Sequence, residues 1–93
     1  MNSGKYRLQV WYAGRVQGVG FRYKTVQVAS GYDVSGYVEN LDDGRVRLVA
    51  VGSKEEVRAF ADKLADIMRD FIRSYDERED LTEEKYSGFQ IRL

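Results

Sequence analysis

Between residues 14 and 22 the chain reads Gly14-Arg15-Val16-Gln17-Gly18-Val19-Gly20-Phe21-Arg22, three glycines followed closely by a guanidinium. Glycine lets a backbone fold tightly around a ligand, so such a loop can aim several amide N–H groups at one anion. A helix starting at Phe21 adds unpaired N–H donors and the positive end of its dipole, and Arg22 in that first turn adds charge and a bidentate fork. The chemistry these residues suit is the holding of a phosphate-like anion. On spacing alone, the glycines also fit a tight turn with no ligand. The spacing departs from the nucleotide-binding G-x-x-x-x-G-K-[ST] loop, and the next strand ends in Asn40 rather than in the acidic residue of a dinucleotide fingerprint.

Composition narrows the remaining chemistry. The 93 residues contain neither Cys nor His, which removes disulfides, thiol nucleophiles, imidazole bases and the usual zinc ligands together. Catalysis must then come from backbone amides, Arg, Lys, carboxylates, side-chain amides and hydroxyls. Fifteen basic and fifteen acidic residues balance to a formal net charge of zero, so the whole-molecule field of a nucleic-acid binder is missing. No apolar run reaches bilayer length and Met1 to Arg7 lacks the apolar stretch of a secretory signal, so a cytoplasmic protein is expected. The length suits one domain over residues 1–93.

The elements that must position Arg22 and Asn40 follow from periodicity. Tyr6 to Tyr12 alternates Tyr6, Leu8, Val10 and Tyr12 against Arg7, Gln9 and Trp11, a strand with one buried face. Phe21 to Ser30 contains β-branched Thr25, Val26 and Val28, but Phe21, Thr25, Val28, Ala29 and Tyr32 form a helical stripe that Gly31 can stop, and a helix is predicted. Val34 to Asn40 and Arg45 to Val51 are strands joined across Asp43-Gly44, a strong hairpin signal. Ser53 and Glu56 read as a capping box, with Val57, Phe60, Ala61, Leu64, Ile67, Met68 and Phe71 following along a long amphipathic helix. Ile72 to Asp80 is predicted as a charged edge strand and residues 88–93 as a final strand, with a solvated acidic connection between them.

The order βαββαβ plus a terminal strand predicts an α+β, ferredoxin-like sandwich: an antiparallel sheet with an extra C-terminal strand, covered on one face by two helices. In that arrangement the first two strands run parallel with the third between them. The residue 14–20 loop, the start of the first helix and Asn40 then meet at one edge.

With those residues in hand, the sequence resembles the acylphosphatase family, which carries G-x-V-Q-G-V-x-F-R after the first strand and G-[aromatic]-V-x-N-x-x-x-G-x-V at the next hairpin. Gly14 to Arg22 fits the first motif at every fixed position, and Gly36 to Val46 fits the second, with Gly52 also at the family spacing. The resemblance implies hydrolysis of acyl phosphates to carboxylate and inorganic phosphate without metal or cofactor. It implies that the backbone amides of Gln17, Gly18, Val19, Gly20, Phe21 and Arg22 hold the phosphoryl group with the Arg22 guanidinium, and that Asn40 positions the attacking water. The partner is then a small-molecule acyl phosphate, with no nucleic acid or membrane, and the protein a monomer.

The chain departs from the family pattern at Ala13 and Glu39, and a Gly-Ser-Pro turn after the second helix is missing, which leaves the edge-strand register open. Alternation along the strand turns Glu39 to the face opposite Asn40. Thr25 reads as helix packing, and Trp11 and Tyr37 as cover for the open sheet face. The rival reading is a non-catalytic module that binds a phosphorylated metabolite on the same fold. A nucleic-acid role is disfavoured because Phe21 and Tyr23 lie at a helix start rather than on a central strand.

Overall fold

A computed structural model describes residues 4–93. Seven elements follow in the order β1 (Lys5–Gly14), α1 (Phe21–Ala29), β2 (Val34–Asn40), β3 (Val46–Gly52), α2 (Lys54–Ile67), β4 (Ile72–Thr82) and β5 (Phe89–Arg92). The strands form one sheet in the order β4-β1-β3-β2-β5. The pairings of β1 with β3 and β4, and of β2 with β3, are antiparallel. The ferredoxin-like arrangement expected from the element order is present. The added strand β5 lies parallel to β2, with Val38 opposite Ile91, so the sheet is not antiparallel throughout.

The core fills the space between the sheet and the helices. Leu8, Val10 and Tyr12 of β1, Val46, Leu48 and Ala50 of β3, and Val38 of β2 are buried against Phe21 and Ala29 of α1 and Val57, Phe60 and Leu64 of α2. Period-two alternation in the strands and 3.6-residue periodicity in the helices aim these residues at one another. Helix α1 presents Phe21, Thr25 and Ala29 inward. The Thr25 hydroxyl donates to the Phe21 carbonyl at 2.8 Å, so this β-branched residue packs within a helix with its polar atom satisfied.

Three local expectations are corrected. Helix α2 ends at Ile67 and not at Phe71, because Met68 leaves helical geometry and Phe71 N–H closes a turn on the Met68 carbonyl. Only half of the capping box forms. Ser53 Oγ accepts from Glu56 N–H, while the Glu56 carboxylate turns away to accept from Asp33 N–H and ties α2 to the start of β2. Gly31 does not stop α1 through a left-handed conformation; the helix tightens through Gly31 N–H to Val28 C=O and Tyr32 N–H to Ala29 C=O bonds.

The acidic connection also does more than meet solvent. It crosses from one sheet edge to the other beneath the face opposite the helices, where Glu84 pairs with Arg7 of β1 and Tyr86 packs edge-on against Tyr37 of β2. Val49 and Val51 are buried although they face away from the helices. Arg47 adds cover, lying over Trp11 and Tyr37 while bonding Glu39 and Gln9. Strand β4 is exposed and charged as expected of a protected edge: Asp80 pairs with Arg7, and Glu77 and Glu79 pair with Arg58 of α2. No helix among the described residues is long and apolar enough to cross a membrane.

Candidate active site

The parallel course of β1 and β2 brings the residue 14–20 loop beside Asn40, the last residue of β2. A cleft of about 440 Å³ opens there, lined by Val16, Gly18, Gly20, Phe21, Arg22, Tyr23, Asn40, Ile91 and Leu93. Five of the seven residues marked by the sequence, Gly18, Gly20, Phe21, Arg22 and Asn40, therefore share one cavity. Gln17 and Val19 do not line it. Val19 packs against the core. The Gln17 side chain runs the other way: its Nε2 donates to the Leu41 carbonyl at 2.8 Å and to the Arg45 carbonyl at 2.9 Å.

That pair of bonds is the structural feature the sequence did not reveal. It fastens the glycine loop to the β2–β3 turn immediately after Asn40, so the two halves of the cleft are held to each other by one side-chain amide. The other end of the loop is anchored where Arg15 N–H donates to the Phe71 carbonyl at 2.9 Å.

Within this frame the loop leaves donors open. Gly18 and Gly20 have φ values of 77° and 79°, a region that side chains with a Cβ rarely enter. Gly20 is the N-cap of α1, and no side chain bonds to that helix end. The first turn of α1 contains no acidic residue. Among the described residues, the backbone N–H groups of Gly18 to Arg22 donate to no protein acceptor. These are the groups a helix start leaves without partners, and they carry the partial positive charge of the dipole. The Arg22 guanidinium adds a full charge and is the only charged side chain lining the cleft among the described residues.

Opposite the cations is an acceptor. Asn40 Oδ1 is buried and has no hydrogen-bond partner among the described residues. A buried carbonyl oxygen without a donor is destabilising by about 1–3 kcal/mol, so a donor entering the cleft would find an open acceptor there. Glu39, the neighbouring carboxylate, faces the other side of the sheet and pairs with Arg47. The predicted alternation thus keeps its charge out of the cleft.

A larger hollow, about 740 Å³, lies at the opposite end of the sheet around Lys5, Asp33, Ser53 and Lys54. It also adjoins a helix N-terminus, that of α2, but this one is capped by Ser53 and carries Glu55 and Glu56 in its first turn. The dipole there is already compensated within the chain, whereas that of α1 is not. Among the described residues, no cluster of three or more His, Cys, Asp or Glu side chains could hold a metal ion.

Comparison with known proteins agrees with this geometry. The family model described as acylphosphatase matches residues 8–91. A protein from Trichormus variabilis named acylphosphatase is 40% identical over 91 residues, covering 92% of this chain and 85% of its own length. One of the same name from Picrophilus torridus is 38% identical over 79 residues, covering 85% and 93%. Among solved structures, acylphosphatase from Bacillus subtilis superposes with a TM-score of 0.84 at 28% identity, covering 95% of this chain and 99% of that one. A motif-bearing loop, an open helix end and a family match over nearly the whole chain lead to one conclusion: this chain belongs to the acylphosphatase family, hydrolases of acyl phosphates.

Proposed function

We propose that the cleft hydrolyses carboxyl-phosphate anhydrides without metal or cofactor, with the phosphoryl group held by Arg22 and the backbone amides from Gln17 to Arg22, and the attacking water held by Asn40. The observation that carries this reading is the pairing, in one cleft, of an uncompensated helix N-terminus bearing Arg22 with the unpartnered Asn40 Oδ1.

The phosphoryl oxygens are equatorial in the transition state and gather charge there, facing the amides and the guanidinium fork. Asn40 Oδ1 accepts a hydrogen bond from the water and turns an oxygen lone pair toward phosphorus. As the new P–O bond forms, the bridging P–O bond breaks and its electron pair leaves with the carboxylate. Both water protons remain with the product, R–COO–PO₃²⁻ plus H₂O giving R–COO⁻ and H₂PO₄⁻, so no residue has to take up a proton. A weakly basic leaving group and a loose transition state make a strong general base unnecessary, and positioning does most of the work. The chain acts in this reading as one domain, residues 1–93, a cytoplasmic monomer.

The test is hydrolysis of benzoyl phosphate in excess chelator by the wild type, Arg22→Ala and Asn40→Ala. Loss of one preorganised contact is worth roughly 3 kcal/mol, so Asn40→Ala should lower kcat about a hundredfold while inorganic phosphate still competes. Arg22→Ala should lose both turnover and phosphate competition. A folded wild type that binds phosphate without turnover would replace this reading with a non-catalytic binding module. A monodisperse monomer in sedimentation checks the oligomeric state.

A further inference from the structure

The cleft is larger than its anion. At about 30 Å³ per water, 440 Å³ holds roughly fifteen waters, and a phosphoryl group has only four heavy atoms. The surplus is bordered by Tyr23, Ile91 and Leu93 above a floor of Val16 and Phe21. Of the five large hydrophobic side chains exposed among the described residues, two, Tyr23 at 80% and Leu93, stand on this one rim. Tyr23 is on the first turn of α1, adjacent in sequence to Arg22, and Ile91 and Leu93 continue the helix-facing side of β5. Exposed apolar side chains beside a polar anion site mark where the remainder of a ligand rests. Among the described residues Arg22 is the only cationic side chain lining the cleft, and it already faces the phosphoryl group in the reading above, so a second anionic group would find no partner.

We infer that Tyr23, with Leu93 and Ile91, forms an acyl-group subsite that selects acyl phosphates with uncharged apolar or aromatic acyl groups over small or anionic ones. The inference rests on the proposed function for its catalytic consequence, but its binding consequence can be read without turnover.

The experiment compares benzoyl phosphate with acetyl phosphate as kcat/KM, and benzylphosphonate with methylphosphonate as Kd, in the wild type, Tyr23→Ala, Leu93→Ala and, as an exposed apolar control on α2, Ile67→Ala. The wild type should favour the aromatic member of each pair about tenfold or more. Tyr23→Ala should reduce that ratio to within about threefold of unity, Leu93→Ala should reduce it partly, and Ile67→Ala should leave it at the wild-type value. A ratio near unity in the wild type, or one that survives Tyr23→Ala, overturns the subsite while leaving catalysis standing. A wild type that turns over neither acyl phosphate yet keeps the phosphonate ratio removes the proposed function and supports the subsite. If Tyr23→Ala instead abolishes a concentration-dependent dimer in sedimentation with the ratio intact, the rim is a contact between copies and the subsite is refuted.

Discussion

Replacing Gln17 tests whether the cleft is held together as its hydrogen bonds imply. Its Nε2 donates to the Leu41 and Arg45 carbonyls, but neither acceptor depends on it alone: Leu41 C=O also accepts from Gly44 N–H and Arg45 C=O from Leu41 N–H. Gln17→Ala therefore leaves no fully orphaned carbonyl, and its effect is the net worth of two hydrogen bonds, about 2 kcal/mol in total. For a domain of this length, with unfolding entropy of about 2.1 cal/mol/K per residue, that lowers Tm by roughly 10 °C. The loop bearing Arg22 also loses its tie to the turn after Asn40. Because misplacement by about 1 Å can lower a rate a hundredfold, kcat for benzoyl phosphate should fall at least about tenfold. Gln17→Glu preserves shape but sets carboxylate oxygens against two carbonyl oxygens, so at neutral pH it should be less stable than Gln17→Ala. The introduced carboxyl has its folded pKa raised above its unfolded value. Its protonated form restores one O–H donor, so the deficit is smallest below about pH 4 and reappears as pH rises through the raised folded pKa. Urea unfolding followed by the fluorescence of Trp11, the only tryptophan, measures both effects. A Gln17→Ala protein within about 0.5 kcal/mol of wild type and within twofold in kcat would refute the tie.

Other outcomes follow from the same geometry. Arg22→Lys keeps the charge but loses the planar fork, so it should retain phosphate competition better than Arg22→Ala and still lose most of its turnover, as steady-state kinetics would show. Gly20→Ala meets no atom within 4 Å, so its whole effect is the left-handed φ, about 1 kcal/mol by urea unfolding, whereas Gly31→Ala, where φ is not positive, should be neutral or slightly stabilising. Burial raises the pKa of Tyr12, and burial with a bond to Glu79 raises that of Tyr6 to about 12. Below pH 10 these tyrosines contribute fully to stability. As pH rises toward the folded values, the unfolded chain binds fewer protons, and Tyr12 alone should lower stability by about 1.4 kcal/mol per pH unit. Alkaline unfolding at the same rate in Tyr12→Phe would contradict this.

Much of the site was legible because its parts are local. Gly18, Gly20 and Arg22 lie in one continuous segment, and their conformations are dictated by what glycine and a helix start permit. Asn40 could be joined to them because the element order fixes which strand ends are neighbours. What escaped depends on side chains whose partners are distant in sequence. The amide of Gln17 reads as one more residue of a phosphate loop until the β2–β3 turn is seen 24 residues away. Glu56 matches the capping-box spacing and is diverted by Asp33 N–H, a competitor that no local pattern contains. The apolar spacing predicts a longer α2 than the structure has, because Met68 and Phe71 continue a pattern that serves the core equally well from a turn. The connection after β4 looked solvated because its acidic residues dominate its composition, while the contact of Tyr86 with Tyr37 depends on the path from one sheet edge to the other.

The two helix starts show how one fold divides stability from function. At α2, Ser53 satisfies an orphan donor and two glutamates compensate the dipole, so the hollow beside it has no open helix end to offer an anion. At α1, a left-handed glycine occupies the cap position, and an ordinary Ser or Asp cap requires extended backbone that Gly20 does not have. The same conformation that curls the loop around the cleft thereby excludes the side chain that would have quenched it. Adding Arg22 to that end is unfavourable in the empty protein, since a cation and the positive dipole end repel. The repulsion is relieved only when an anion binds between them. The arrangement therefore suits an anion at that point, and in the proposed acyl-phosphate cleavage the charge on the phosphoryl oxygens is met by donors already in place rather than by water that must reorganise.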